Sequence, residues 1–493
     1  MRENKKYAKA KFILYTVMIG AFLSMFDSGV VNVGLPVISS QLNIGIDSAQ
    51  WITSIYLLIM SALLPIIGTL ADNFGRRKIY NMGFLVISIF TLLCGFSINF
   101  YMLIIMRILQ AVGGAMVMAN GLAIVTENLP PSERGKNIGV IATVMAIGSI
   151  AGPPLGGIII GLLGWRSVFY LTFVVSILGF IASHYSIPDD KKQKNKDFKF
   201  DYLGASLLII TIISFIYGFS NINKMGLNNP IIYSSLLVFL ISCVIFIFWE
   251  KKVNQPVLHL SLFKNWVFTS SIIASLISFL TMYSPTVLMP FYYQKVLGIS
   301  TQKSGLYMMA FPIAMAIISP FSGALSDKIG AVVLTSTGLV INGIALILLA
   351  NISINTPIYL VLFYMFLMGL SLGLFQSPNN SCIMGSVHKN KLGAANGIAQ
   401  LVKNLGMVIG ITFSVALFTA FFGKGTENYS IRFLQSIKNV YYIAAVLSFL
   451  GAMISGIRNK KSKIFVKKSP QGCKFRGVNF SKLSQIAILF KLI

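Results

Sequence analysis

The chain has 493 residues, 56% of them hydrophobic and only 11% charged, with a mean hydropathy of +0.79. That composition excludes a soluble enzyme and directs the chain into a lipid bilayer. The formal net charge of +27 raises nucleic acid as a partner, but the Lys and Arg fall in loops between apolar runs, so nucleic acid is set aside and the bilayer is kept.

Read from the amino terminus, residues 1–12 are a charged segment resembling the start of a signal peptide. The apolar run behind it is about 24 residues long, contains Asp27 and shows no small-residue cleavage site, so it is read as an uncleaved first helix. With this first run included, there are fourteen runs of spanning length, near 13–36, 49–70, 79–97, 101–126, 138–163, 167–187, 202–220, 230–249, 267–290, 304–325, 332–350, 357–384, 393–421 and 439–457. With the amino terminus inside, 31 of the 40 Lys and Arg fall in cytoplasmic segments, which places both termini in the cytoplasm. Of the four cysteines, Cys94, Cys243 and Cys382 lie in spans and Cys473 in the tail, so no disulfide framework or metal site is expected. His184, His259 and His388 sit near loops or helix ends, and none reads as a ligand.

The loop Gly68-Thr69-Leu70-Ala71-Asp72-Asn73-Phe74-Gly75-Arg76-Arg77-Lys78 recurs in weakened form as Gly323-Ala324-Leu325-Ser326-Asp327-Lys328-Ile329-Gly330. Both copies keep Gly, Asp and Gly at the same spacing after an apolar helix, so the chain is read as two related halves. Their first glycines are 255 positions apart, whereas six spans with short connections need roughly 200 residues. The surplus matches residues 201–250. The expected plan is an all-α membrane protein with a first six-helix bundle at 13–187, a charged linker at 188–200, two additional helices at 201–250, a second six-helix bundle at 251–457 and a basic cytoplasmic tail at 458–493. Within that tail, 483–493 is too short to span and is read as interfacial or dispensable.

Asp27 is the one acid deep within a span, about 21 Å from the cytoplasmic end at 1.5 Å per residue, and Arg107 enters span four from the opposite side to roughly 9 Å. Burial opposes a charge on the carboxylate and an arginine partner favours it, so a pair made by ionised Asp27 and broken by protonation acts as a proton switch. A static buried ion pair that fixes helix packing is the other reading. In the Gly68 loop, Gly68 and Gly75 are expected to allow close approach and a tight turn, with Asp72 facing a helix amino terminus. A topogenic loop, held inside by Arg76, Arg77 and Lys78, is the alternative. Span five carries Gly148, Gly152 and Gly156 on one face with Pro153, Pro154 and Gly157, which predicts a close packing seam with a bend. On span thirteen Asn396, Gln400, Lys403, Asn404 and Met407 form a stripe, approached by Gln376, Asn379 and Asn380 from span twelve, as cavity lining or as helix–helix hydrogen bonding.

Four segments together resemble the major facilitator superfamily, in particular its fourteen-span drug and proton antiporter branch: Met25–Asp27 with Asn32–Pro36, the Gly68–Lys78 loop, Arg107–Ala115 and Gly148–Gly157. The resemblance implies a fold of two six-helix bundles plus two central helices in a bacterial cytoplasmic membrane. It further implies proton coupling through Asp27 and Arg107, and a cytoplasmic latch at Gly68, Asp72, Gly75, Arg76 and Arg77. The second latch copy, at Asp327, has lost its arginine-rich end. The Gly148–Gly157 run marks antiporters, and a substrate cavity is expected around Asn32, Gln376, Asn379, Asn396, Gln400, Lys403 and Asn404. The function expected is efflux of neutral or monovalent cationic lipophiles by a monomer that is not an enzyme, needs no cofactor and draws on the proton gradient. No nucleotide-binding P-loop is present, which sets ATP drive aside. A metabolite or lipid transporter on the same scaffold, or a membrane sensor or channel, are the alternatives.

Overall fold

The computed structural model describes residues 2–128, 134–188, 201–226, 228–253, 256–388, 391–423 and 428–465, so the linker at 189–200 and the tail beyond 465 lie outside it. Among the described residues the regular elements are all helical. The first six long helices are α1 (Arg2–Gln41), α2 (Ile46–Phe74), α3 (Arg76–Gly95), α4 (Phe100–Asn128), α5 (Arg134–Leu163) and α6 (Arg166–Ser186). A pair follows, α7 (Tyr202–Met225) and α8 (Pro230–Glu250). The remainder are α9 (Trp266–Phe291), α10 (Thr301–Met308), α11 (Ala310–Ile329), α12 (Ala331–Ala350), α13 (Ile358–Gly385), α14 (Leu392–Phe422) and α15 (Tyr429–Phe465). Fourteen segments are long and apolar enough to cross a membrane, the tenth being formed by α10 and α11 in succession. Helix is the state these runs must adopt, because hydrocarbon supplies no partners for backbone N–H and C=O groups.

Helix ends fall where the residues demand them. Gly75 joins α2 to α3 at φ 101° and ψ 125°, and Gly330 joins α11 to α12 at φ 95° and ψ 138°. Both lie in a region closed to side chains, so the two copies of the loop share one turn as well as one spacing. Asp201 caps α7 by accepting from the Gly204 amide at 2.8 Å, and Asn229 caps α8 with Pro230 in the first turn.

In the first half α1 packs along α5 and α6, α3 lies against α4 and α6, and α2 lies on α4. The second half answers with α9 against α14 and α15, α12 against α13 and α15, and α11 on α13. The halves meet where α2 packs on α14, α5 on α10, and α1 on α9. Of the inserted pair, α7 bridges α2 and α14, with Phe219 stacked on Phe413 at 5.8 Å, while α8 packs chiefly on α7. The outer face of α8, with Leu240, Ile241, Val244 and Phe248, is exposed as a lipid-facing surface should be.

One boundary differs from the sequence expectation. Arg458 was assigned to the basic tail, yet α15 continues to Phe465 and Arg458 is completely buried. Its guanidinium donates to Ser271 Oγ at 2.8 Å, Asn379 Oδ1 at 3.0 Å, Thr335 Oγ1 at 3.3 Å and Ser455 Oγ at 2.6 Å. These partners come from α9, α13, α12 and α15, so one side chain ties four helices together. Arg458→Ala is expected to cost on the order of 3 kcal/mol, because it strands several buried polar groups at once. A lower thermal midpoint in detergent checks this, and an unchanged midpoint contradicts it.

Candidate functional site

α5 sets the position of α1. A Cβ on Gly148 would meet the Phe22 carbonyl oxygen at 2.8 Å, one on Gly152 the Phe26 carbonyl oxygen at 3.1 Å, and one on Gly156 the Val30 Cα at 2.9 Å. The three glycines therefore form one seam that lets the α1 backbone lie against α5, with Gly29 against Pro153. The α5 helix continues through Pro153 and Pro154.

On the other side of α1, Asp27 faces α4. Arg107 Nη1 donates to Asp27 Oδ2 at 2.8 Å, with the side chains 0% and 2% exposed. Arg107 also donates to Gln110 Oε1 at 2.9 Å and to the Ile52 carbonyl at 3.0 Å, and it lies 4.4 Å from the centre of the Tyr56 ring. Gln110 Nε2 donates to Asp27 Oδ1 at 3.3 Å, closing a three-residue ring of polar groups. Removing one member of such a pair leaves the other charge buried and costs about 3–5 kcal/mol. Arg107 Nη2 is buried without a hydrogen-bond partner. Gln110 and Tyr56 were not singled out from the sequence, although Gln110 follows Arg107 by one turn, a spacing that puts both on one face. Tyr56 is a partner from another helix, and its spacing in the chain carries no signal.

A cavity of about 540 Å³ opens at the end of the bundle that carries the Gly68–Lys78 turn. Its wall combines α1 to α5 of the first half with Pro256–His259 and α14 of the second, including Ser24, Gly68, Asn120, Asn396 and Gln400. The volume suits a small organic molecule. His259 lines this cavity, although the sequence offered no role for it; burial, and then the charge of Lys391, push its pKa down from the ordinary histidine range.

The opposite end is closed. There a Cβ on Gly157 would meet the Thr301 carbonyl oxygen at 2.6 Å, and one on Gly305 the Pro153 carbonyl oxygen at 2.3 Å, so α5 and α10 approach backbone to backbone at these two glycines. Gln294 donates to the Val33 carbonyl at 3.0 Å and Lys295 to Ser40 Oγ, both across the two halves.

The remaining sequence candidates sort by position. Gly68 does not mediate a close approach as expected: nothing lies within 4 Å of a Cβ built there, because it faces the open cavity. Arg76 bonds Glu127 of α4 at 3.2 Å, and Arg77 the His184 carbonyl of α6 at 2.8 Å. The side chains of Asp72 and Asp327 lie outside the described residues. Asn396 and Gln400 line the cavity, whereas Asn32, Gln376, Asn379, Lys403 and Asn404 are not part of its wall. Asn32 accepts from Thr53 at 3.0 Å and Asn379 is held by Arg458, so both join helices within their own half. Lys403 Nζ sits 5.2 Å from the centre of the Phe279 ring, and Asn404 is buried with its Nδ2 unpartnered.

The Major Facilitator Superfamily sequence model matches residues 17–411 and 271–472. The riboflavin transporter RibZ of Clostridioides difficile is 30% identical over 455 residues, covering 90% of this chain and 96% of its own. The multidrug transporter protein MdtP of Bacillus subtilis is 28% identical, covering 89% and 80%. The multidrug resistance protein Stp of Mycobacterium tuberculosis is 27% identical, covering 87% and 80%. With a family match along most of its length and, among the described residues, fourteen helices long and apolar enough to cross a membrane, the chain belongs to the major facilitator superfamily and is a multi-pass membrane transporter.

Proposed function

We propose that the protein exports lipophilic small molecules across the cytoplasmic membrane by alternating access, in exchange for external protons taken up at Asp27. The observation that carries this reading is the buried Asp27–Arg107–Gln110 ring, which holds the one carboxylate deep within a span among the described residues. Both termini and the basic loops are assigned to the cytoplasm, so the cavity is open inward and the Gly157–Gly305 contact closes the outer end. Protonation neutralises Asp27, weakens its hold on Arg107 and frees α1 relative to α4. Residues 201–250 act outside the central cavity. The similarity to multidrug proteins in two bacteria supports this cargo class. Because one carboxylate serves both proton and cargo, substrates are neutral or at most monocationic.

Uptake of candidate compounds into inverted vesicles under an imposed pH gradient tests the reading. Accumulation is expected with a pH gradient and no membrane potential, and accumulation driven by potential alone contradicts the single-carboxylate exchange. RibZ favours a second reading, transport of riboflavin or a related metabolite. Competition by riboflavin in the same vesicles distinguishes it.

The Gly68–Lys78 loop is assigned as the latch that closes the inner end when the cavity turns outward. The open space beside Gly68, Gly393 and Gly397 is where α2 and α14 meet on that closure. Asp72→Ala should slow transport at least about tenfold, about 1.4 kcal/mol in activation free energy, with little change in equilibrium binding. Equal losses in rate and binding contradict a latch.

A further inference from the structure

The cavity wall is helical except for one stretch. Pro256–His259, between α8 and α9, supplies that stretch, while the rest of the lining comes from α1 to α5 and α14. A segment outside helix has no backbone ladder to take up its amides, so each N–H withdrawn from water there needs a partner of another kind. The amides of Val257 and Leu258 both donate to Glu250, at 3.2 Å to Oε1 and 3.3 Å to Oε2. One carboxylate therefore holds two consecutive backbone groups of the wall.

Two local effects disfavour an anion at Glu250. It ends α8, where the negative end of the helix dipole opposes a carboxylate, and it is 4% exposed, so it has lost its hydration as well. The charge-assisted bonds to the two amides are its described compensation. Its place is fixed from behind: the neighbouring Trp249 Nε1 donates to Asp201 Oδ1 at 2.8 Å, and Asp201 caps α7. In turn α7 packs on α2 and α14, both of which wall the cavity. The inserted pair thus reaches three parts of the wall without entering the cavity. Beyond His259 the connection is anchored separately, by Asn265 Nδ2 donating to the Ser386 carbonyl at 2.7 Å. Loss of Glu250 therefore frees Val257 and Leu258 rather than the whole connection.

We infer that the inserted pair α7–α8 is an external frame for the cavity, and that Glu250 is the positioning residue through which it sets the Pro256–His259 wall and the fit of the cargo against it. This rests on the cavity being the transport route. The position matters most at Leu258, which lines the cavity and also packs on the cluster of Phe268, Ile383 and Ile398 from α9, α13 and α14.

The test uses the full chain in lipid nanodiscs without any gradient and reads amide hydrogen exchange together with equilibrium binding of ethidium, a monocationic fluorescent lipophile. In Glu250→Ala the peptide carrying Val257 and Leu258 should exchange at least about tenfold faster than in wild type, with α7, α9 and α14 unchanged. Ethidium should bind at least about fivefold more weakly to that variant. Glu250→Gln keeps one acceptor oxygen, so both of its readouts should fall between those of wild type and Glu250→Ala. Unchanged exchange, faster exchange with unchanged binding, or no binding of ethidium by wild type overturns the inference. Exchange that rises throughout the bundle also overturns it, because it marks a residue that holds the fold rather than the wall. Should Glu250→Ala fail to insert, Glu250→Gln decides the matter: local gain in exchange with weaker binding supports the frame, and wild-type values of either refute it. Loss of pH-driven uptake with the binding difference intact refutes proton exchange and leaves the frame standing.

Discussion

Asp27→Asn is expected to abolish proton-driven efflux while the protein is inserted at normal abundance. Asparagine has nearly the same shape and still offers an oxygen to Arg107, and Arg107 retains Gln110 and the Ile52 carbonyl, so the helices stay in place. What is lost is the ability to change charge. A static packing pair predicts the reverse, since an isosteric neutral residue would then disturb stability more than coupling. Vesicle efflux under a pH gradient, compared with thermal stability of the purified variant, separates the two: undiminished proton-coupled transport removes Asp27 from the mechanism. Arg107→Ala also fails, but it strands the Asp27 carboxylate at a cost of about 3–5 kcal/mol and therefore tests stability as much as coupling.

Gly305→Val is expected to reduce transport at least about tenfold by holding the outer end apart. Even a single methyl group at this position would lie 2.3 Å from the Pro153 carbonyl oxygen, and the contacted atom is backbone in α5, which cannot swing aside. The opposing Gly157 has the same constraint, so Gly157→Val should act alike. The wedge affects only the conformation in which the two halves close at that end. Alkylation of a cysteine placed at Ser40 by a membrane-impermeant reagent should therefore rise while abundance is unchanged. Transport within about twofold of wild type, with no gain in labelling, would show that α5 and α10 can separate without consequence.

The sequence alone determined the number of membrane crossings, because a bilayer accepts only helices of about twenty apolar residues and the charged loops punctuate them. It also determined the repeated turn, since Gly75 and Gly330 occupy a backbone region that other residues avoid. The proximity of Asp27 and Arg107 was legible from their matching depths, as depth is a one-dimensional quantity counted at 1.5 Å per residue. The Gly148, Gly152 and Gly156 seam was legible from its spacing of four.

Only the tertiary structure decided which way each side chain faces. In helices apolar on nearly every side, periodicity does not reveal the neighbour, so Gln110 and Tyr56 joined the charge ring unannounced while Asn32 and Asn379 left the cavity for contacts within their own halves. Arg458 was read as tail because a basic residue after an apolar run normally faces water. Four helices converge there with polar groups to receive it. Gly68 and Gly305 illustrate the same limit from the backbone side. Both are helical glycines, yet a Cβ at Gly68 would meet nothing within 4 Å, whereas one at Gly305 would meet the Pro153 carbonyl oxygen at 2.3 Å.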